Sequence, residues 1–138
     1  MGKFLYCYIM GYYIRRYDLH SEVVDWEDID EDQFSLTYDM CGKNDYGSFA
    51  FPVYMDIMYD EDNYVVGICI YRRREDIGGI YIFSFEIRMG MRYCGIGSMF
   101  MGIYKGMGRV ELSTLPESRI FYEKNGFDSI GDSRMVYK

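Results

Sequence analysis

Runs of apolar side chains separated by short polar segments predict a sheet in the middle of the chain. The clearest runs are residues 51–59, 64–73 and 80–88, each rich in aromatic and β-branched residues, as strands are. Polar turns at 60–63 and 75–79 separate them. We therefore predict an antiparallel meander, and its second strand, which is apolar on both faces, should lie in the centre of the sheet.

The first fifty residues give a weaker pattern. The aromatic run 4–14 predicts a first strand, bent at Gly11 and ended by the polar residues 15–18. Residues 21–34 carry apolar positions at uneven helical spacing after a serine that can cap a helix, so we predict a helix there. Residues 35–50 are rich in turn-forming residues and predict a loop without a regular element.

A strand, a glycine loop and a helix follow one another between residues 80 and 107. The loop runs from Arg92 to Ser98, and the amphipathic segment 98–107 after it predicts a helix of about three turns. Unpaired N–H groups at the first turn of a helix attract phosphate oxygens, and the helix macrodipole adds to this. Arg92 adds a positive charge that can bond phosphate. A plain strand-to-helix turn is the alternative for this loop by itself.

The rest of the chain continues the alternation of strand and helix. Residues 109–113 alternate as a strand. Residues 116–124 predict a short helix, because Pro116 suits the first helical position and Gly126 suits the stop. Residues 127–138 should supply one or two closing strands. We see no reason to divide the chain, and predict a single domain over residues 1–138.

Two motifs in this half of the chain resemble those of the GNAT N-acyltransferases. Ile87 followed by Arg92-x-x-Gly95-x-Gly97 resembles the family's acetyl-CoA signature, (V/I)-x4-(Q/R)-x-x-G-x-(G/A). Phe121-Tyr122-Glu123-Lys124-x-Gly126-Phe127 resembles its (F/L)-Y-E-K-x-G-F ending, and about twenty residues separate the two motifs, as the family requires. The resemblance covers roughly residues 64–138. The residues before 64 resemble the family only in the kinds of element that they predict.

This resemblance implies an α+β fold, with a central mixed, mostly antiparallel sheet of roughly six to seven strands flanked by about four helices. In the family, the strand at 109–113 runs parallel to the strand at 80–88 and splays from it. The gap between them admits the pantetheine arm of the cofactor. One or two helices that follow the first strand border the acceptor cleft, and segment 21–34 stands in that place.

The activity that the resemblance implies is acetyl transfer from acetyl-CoA to a primary amine of a small-molecule or protein acceptor, by direct attack. Such a transfer needs an oriented thioester, a neutral amine and a proton for the departing thiolate. Tyr122 is the predicted general acid, because the family's tyrosine at this position points at the cofactor sulfur. Glu86 is the predicted base, with Glu111 and Asp56 as other candidates. The face of the sheet on which the Glu86 side chain lies stays open, since family members often carry a bulge in this strand. The alternative is a catalytically weak or inactive GNAT-fold module that binds CoA or a partner protein.

The predicted cofactor-binding residues lie in the glycine loop and the strand before it. Backbone N–H groups of the loop would hold the pyrophosphate, and a Cβ at Gly95 or Gly97 would push the backbone away from the phosphates. By resemblance, the strand edge at Ile87 and Met89 would pair with the pantetheine amides, and an N–H near Ile87 would polarise the thioester carbonyl. The full set is Ile87, Met89, Arg92, Tyr93, Cys94, Gly95, Ile96, Gly97 and Ser98. No metal is predicted.

Charge narrows the class of acceptor. The formal net charge of −7 argues against nucleic-acid binding, because phosphate backbones attract basic faces. An acceptor that carries positive charge fits better. The acidic run from Asp25 to Asp32 would attract such a substrate, and a solvated helix face is the alternative for it.

Cysteine usage and hydropathy indicate the compartment. Cys7, Cys41, Cys69 and Cys94 are scattered without a C-x-x-C pair, which predicts free thiols in a reducing cytosol rather than a zinc site. No apolar run approaches the ~20 residues of a membrane span, and residues 1–10 lack the pattern of a secretory signal. We expect a soluble cytoplasmic protein. Its oligomeric state stays open, with a homodimer as one option.

Overall fold

The computed structural model describes residues 5–9, 11–92 and 94–138, and for residues 5–9 the backbone alone. The strands are β1 (Leu5–Ile9), β2 (Tyr12–Asp18), β3 (Tyr54–Tyr59), β4 (Val65–Arg74), β5 (Gly79–Ile87), β6 (Arg109–Ser113), β7 (Asp128–Ser129) and β8 (Arg134–Tyr137). The α-helices are α1 (Ser35–Lys43), α2 (Ile96–Lys105) and α3 (Arg119–Lys124). All the strands belong to one sheet, in the order β1-β2-β3-β4-β5-β6-β8-β7.

The sheet is mixed and mostly antiparallel, so the predicted α+β class is confirmed. β1 to β5 are consecutive antiparallel neighbours, β6 runs parallel to β5, and β8 pairs antiparallel with β6 and β7. The predicted central meander corresponds to β3, β4 and β5. Among the residues that the structure describes, the two-residue β7 brings the number of strands to eight where roughly six to seven were predicted, and there are three α-helices where about four were predicted.

The prediction of one bent N-terminal strand is wrong. β1 and β2 form an antiparallel hairpin, because Gly11 has a φ of +87° and can occupy the left-handed region that a tight turn needs. The polar residues 15–18 do not end the strand either. Arg16 pairs with Asp56 of β3 in the ladder, and its Nε donates to Asp56 Oδ1 at 2.8 Å, so its charge is compensated inside the sheet.

The predicted helix over 21–34 is also wrong, and so is the predicted loop over 35–50. Within 21–34 the regular structure is one 3₁₀ turn at Trp26–Asp28. The buried residues of segment 21–34 are Val24, Ile29 and Phe34. They are spaced by five, a period that does not keep side chains on one face of an α-helix. The helix forms instead at α1, whose first N–H groups are bonded by a side chain from β5, as described below.

Both faces of the sheet are covered. On one face, α2 and α3 pack Phe100, Met101, Tyr104 and Tyr122 against apolar side chains of β4 to β6 and β8. On the other face, α1 and the irregular segments around it cover a second core that includes Phe34, Tyr46 and Val53. No helix among the residues that the structure describes is long and apolar enough to cross a membrane.

β5 extends beyond the stretch that pairs with β6, which is consistent with the gap that the resemblance implies. The two strands pair from Gly79 and Arg109 to Ile82 and Leu112, whereas β5 continues to Ile87. Close approach at the first pair requires a glycine, since a Cβ on Gly79 would lie 1.7 Å from the Arg109 carbonyl oxygen. Beyond the last pair, the β6 side of β5 faces a gap.

The C-terminal half follows its prediction closely. α2 and β6 stand where the helix and strand were expected. The expected short helix is a 3₁₀ turn at Pro116–Ser118 that continues into α3, and it stops at Gly126, which has a φ of +88°. β7 and β8 are the expected closing strands. Proline and glycine, as local start and stop signals, were sufficient to predict this part.

Candidate active site

The free side of β5 presents backbone hydrogen-bonding groups to the gap. The Arg88 N–H donates to the Val66 carbonyl of β4 at 2.9 Å. Since successive residues of a strand direct their N–H and C=O groups to opposite sides, those of Ile87 and of Phe85 face away from β4 and toward the gap. β5 ends at Ile87, and Met89 lies in a following 3₁₀ turn, so Met89 is not part of this edge.

A β-bulge in β5 decides which face each carboxylate takes. The pairing with β4 shifts between Ile82, opposite Tyr71, and Ser84, opposite Ile70. As a result Phe83 and Ser84 lie on the same face of the sheet, the face covered by α1, and Glu86 follows them there. Ser84 is 3% exposed, and its Oγ has no hydrogen-bond partner among the described residues.

The glycine loop leads directly into α2 at the end of the gap. Gly95 is the residue before the helix and has a φ of +83°, which favours glycine. Nothing lies within 4 Å of the position that a Cβ on Gly95 would take, so the space above it is open. The N–H groups of the first turn, from Ile96 to Ser98, have no partners within the helix. Cys94 is exposed and its Sγ donates to the Met91 carbonyl, while Tyr93 lies outside the described residues.

Gly97 has a role in helix packing. A Cβ there would lie 2.9 Å from Cε1 of Phe121 on α3 and 3.5 Å from Cγ1 of Ile87. The missing side chain therefore faces the interior, where it lets α2 approach the aromatic ring. This contact is a second reason for a glycine here, and the predicted one, that a Cβ would push the backbone away from the phosphates, stays a prediction.

We expect Gly97→Ala to lower the free energy of unfolding by about 1–2 kcal/mol, because overpacking against Phe121 outweighs the better helix propensity of alanine. The matched control is Gly102→Ala in the same helix, where a Cβ would meet nothing within 4 Å; this change should stabilise the protein. Urea unfolding of both variants measures the difference. Equal stability of the two variants would show that Gly97 has no packing role.

Arg92 is bound back to β5 in this structure. Its Nε donates to the Ile87 carbonyl at 3.1 Å, and its Nη2 lies 3.6 Å from Oε2 of Glu86. The side chain remains 41% exposed, so one edge of the guanidinium is open to solvent beside the glycine loop.

Glu86 caps α1. Its Oε1 accepts from the N–H of Thr37 at 2.8 Å and from the Thr37 hydroxyl at 2.8 Å, and its Oε2 accepts from the Leu36 N–H at 3.1 Å. The residue before the helix, Phe34, supplies no side-chain cap, so a carboxylate from β5 satisfies N–H groups that would otherwise be buried without partners.

The other two candidate bases also accept bonds at both carboxylate oxygens. Asp56 is 0% exposed; both its oxygens accept from Arg16, and Oδ2 accepts from the Tyr104 hydroxyl at 2.7 Å. Burial raises the pKa of Asp56, and the Arg16 pair opposes this shift. Glu111 is bonded by two arginines, Arg109 of its own strand β6 and Arg134 of the neighbouring strand β8. Each carboxylate oxygen of the three candidates therefore has a donor already.

Tyr122 lies on α3 against the sheet. It is 7% exposed, and its ring contacts those of Phe121 and Phe127. Phe121 stacks on Phe85 of β5 with ring centroids 5.8 Å apart, which places this end of α3 beside the strand that borders the gap. Burial, and after it the neighbouring Cys69 thiol, raise the pKa of Tyr122. Its hydroxyl therefore stays protonated at neutral pH and can donate.

The sequence reasoning missed the part that Asn125 plays in this arrangement. Asn125 is 7% exposed, and its Nδ2 donates to the Ser98 hydroxyl at 3.2 Å and to the Phe121 carbonyl at 2.9 Å. It thus ties the end of α3 to the first turn of α2. An asparagine just before the glycine that stops a helix was the only available signal.

Comparison with known proteins identifies the fold. No family model and no curated protein matches the chain. Among solved structures, a protein of Exiguobacterium sp. 255-15 assigned as an acetyltransferase matches with a TM-score of 0.69 and 16% identity over 94% of each chain. A GNAT-family acetyltransferase of Staphylococcus aureus Mu50 matches with a TM-score of 0.57 and 12% identity, over 89% of this chain and 97% of that one.

Nourseothricin acetyltransferase also matches, with a TM-score of 0.55 and 16% identity, over 61% of this chain and 64% of that one. This chain therefore spans less than two thirds of that protein. The three similarities together show that the chain has the GNAT fold, which confirms the predicted resemblance at the level of architecture.

Proposed function

We propose that this protein transfers an acetyl group from acetyl-CoA to a primary amine. The observation that carries the proposal is the meeting of two features at one point, the gap between β5 and β6 and the open first turn of α2. The gap offers strand-edge groups at Phe85 and Ile87, and the turn offers N–H groups from Ile96 to Ser98. An extended amide-containing arm that ends in a pyrophosphate matches this pair of features.

The cofactor would be held by backbone groups more than by side chains. We place the pyrophosphate at Gly95 to Ser98, where the space above Gly95 is open. The pantetheine amides would pair with the edge of β5, and the N–H of Phe85 or Ile87 would face the thioester carbonyl and stabilise the negative charge that develops on its oxygen. Acetyl-CoA here is a substrate that supplies the acetyl group.

Tyr122 would act on the leaving group. Its pKa is raised by burial, and an ordinary thiol has a pKa of about 8.5. Complete proton transfer to a thiolate would therefore be uphill. The hydroxyl instead would donate a hydrogen bond to the sulfur as charge develops there, which lowers the barrier without requiring Tyr122 to ionise.

Because both oxygens of each candidate carboxylate already accept hydrogen bonds, we propose that the acceptor enters as a neutral amine and loses its proton to water. Glu86 is then a positioning residue that holds α1. On this proposal the transfer rate rises with pH until the acceptor amine is fully deprotonated. The pH–rate profile shows no second ionisation at lower pH, because no carboxylate acts as the base.

The proposed acceptor is cationic. The acidic run from Asp25 to Asp32 precedes α1, and an open hollow of about 500 Å³ beside that helix is lined by Glu31, Ser35, Tyr38, Asp39, Gly42 and Lys43. Two of the lining side chains are carboxylates, one of which pairs with Lys43. Together with the net charge of −7, these groups favour the approach of an amine that carries additional positive charge.

We expect high salt to raise the KM of such an acceptor, because exposed charges more than about 10 Å apart are screened at 0.1 M salt. Steady-state kinetics at several salt concentrations measure this, with a polyamine as the acceptor and a neutral amine as the control. A KM for the polyamine that does not change with salt would rule out an electrostatic role for the acidic surface.

Incubation of the protein with acetyl-CoA and a panel of amines, followed by mass spectrometry, tests the proposed activity. Transfer should add 42 Da to an acceptor, a mass set by the acetyl group, at a rate above the reaction without protein. A second candidate, a GNAT-fold module that binds CoA without turnover, is favoured by the engaged carboxylates and by Arg92 lying on β5. Binding of acetyl-CoA without any acetylated product across the panel would select this candidate.

A further inference from the structure

Arg92 occupies a backbone group that the proposed cofactor needs. The Ile87 carbonyl faces the gap, where the pantetheine arm would pair with the strand edge, and it already accepts from Arg92 Nε at 3.1 Å. Arg92 Nε takes one of the two acceptor positions of this oxygen, so an amide N–H of the arm has to compete with the guanidinium or share the oxygen with it. The contact therefore opposes binding of the arm alone.

Glu86 fixes the guanidinium in this position. Its Oε2 lies 3.6 Å from Arg92 Nη2, and the carboxylate is itself held by the N–H groups of Leu36 and Thr37 at the start of α1. Because Glu86 is 5% exposed and bonded from a second element, it cannot follow Arg92 into the solvent. The arginine can move, since it is 41% exposed, while its partner stays.

A pyrophosphate at the first turn of α2 would compete for the same guanidinium. Charge-assisted bonds between arginine and phosphate are stronger than a bond from arginine to a neutral carbonyl. The contact with Glu86 is longer, 3.6 Å, and Glu86 keeps its bonds from Leu36 and Thr37 when Arg92 leaves. Arg92 and the open space above Gly95 are three residues apart in the sequence, at the same end of β5. The phosphates are therefore the part of the ligand that can draw Arg92 away from Ile87.

We propose that Arg92 is a latch on the strand edge, closed on Ile87 and Glu86 in the free protein and opened when the pyrophosphate binds. This inference rests on the proposed function. On this proposal the phosphates contribute affinity and also expose the Ile87 carbonyl, which then pairs with the pantetheine arm. A thioester that lacks phosphates must open the latch without compensation and binds poorly for that reason.

Two ligands and one substitution test the latch. S-acetylpantetheine carries the thioester and the amides without phosphates, and acetyl-CoA carries both. In Arg92→Met the carbonyl of Ile87 is free, so S-acetylpantetheine should bind about tenfold more tightly than to the wild type. Acetyl-CoA loses its arginine contact and should bind about threefold to tenfold more weakly. Arg74→Met, at the opposite end of the sheet, is the matched control and should change neither affinity.

The opposite signs for the two ligands distinguish the latch from a simple loss of charge. Calorimetry or NMR titration gives both dissociation constants. Arg92→Ala should change the two affinities in the same directions, and it replaces Arg92→Met if that variant does not fold. Equal affinity of wild type and variant for S-acetylpantetheine, including none detectable in either, overturns the latch. An acetyl-CoA affinity that rises also overturns it. Failure of the wild type to bind acetyl-CoA at all would instead refute the proposed function.

Discussion

Replacement of Tyr122 by phenylalanine should slow acetyl transfer by about 10²-fold or more while the Kd for acetyl-CoA stays near its wild-type value. The ring of Tyr122 is buried between aromatic neighbours, and phenylalanine keeps those contacts. What is lost is a donor to the sulfur, an interaction made chiefly as the thiolate departs. Removal of one such donor typically costs 10²- to 10³-fold in rate. Single-turnover kinetics at saturating acetyl-CoA measure the step directly.

The matched control for this prediction is Tyr137→Phe. Tyr137 is a partly buried tyrosine of β8 that packs against Phe127, the same ring that Tyr122 contacts, and it has no part in the proposed chemistry. Its variant should transfer acetyl groups at the wild-type rate. If Tyr122→Phe also does so and remains folded, the Tyr122 hydroxyl has no catalytic part and the non-catalytic candidate gains support.

Replacement of Ser98 by glutamate should weaken acetyl-CoA binding about 100-fold. Ser98 is an exposed residue in the first turn of α2, where a glutamate suits the helix macrodipole and leaves folding intact. Its carboxylate would lie beside the proposed pyrophosphate. Two like charges about 5 Å apart at an effective dielectric constant of about 20 repel by roughly 3 kcal/mol, which corresponds to about two orders of magnitude in Kd.

Ser98→Gln separates charge from size in this experiment. Glutamine has the shape of glutamate and also loses the hydroxyl that accepts from Asn125, yet it carries no charge. Its Kd should stay within a few-fold of the wild-type value, and the loss in Ser98→Glu should shrink at high salt. A folded Ser98→Glu variant that binds acetyl-CoA as the wild type does would place the pyrophosphate elsewhere.

The parts of the fold that the sequence predicted well are those in which local signals decide the structure. β4 is apolar on both faces and lies in the centre of the sheet, and α3 begins after Pro116 and stops at Gly126. Such signals involve residues within one turn or one strand. That β5 continues beyond its pairing with β6 was implied only by the resemblance, because nothing in either strand alone marks where their pairing ends.

Errors arose where a distant partner decides the local structure. α1 is capped by Glu86, which lies 49 positions after Thr37 in the chain, so the helix has no start signal of its own. Arg16 stays inside β2 because Asp56, 40 positions away, bonds it. The same long-range contacts explain the candidate bases. A sequence shows where a carboxylate stands, but not that its oxygens are already bonded.

NMR titration of acetyl-CoA into the ¹⁵N-labelled wild-type protein tests the central claim most directly. We expect saturable binding in the range of about 1 μM to 1 mM that is usual for enzyme substrates. The amide signals of Gly95 to Ser98, Phe85 and Ile87 should shift, while those of Arg72 to Asp76, at the opposite end of the sheet, should stay in place. An absence of shifts at about 1 mM ligand, or shifts confined to residues away from the gap between β5 and β6, would contradict the account.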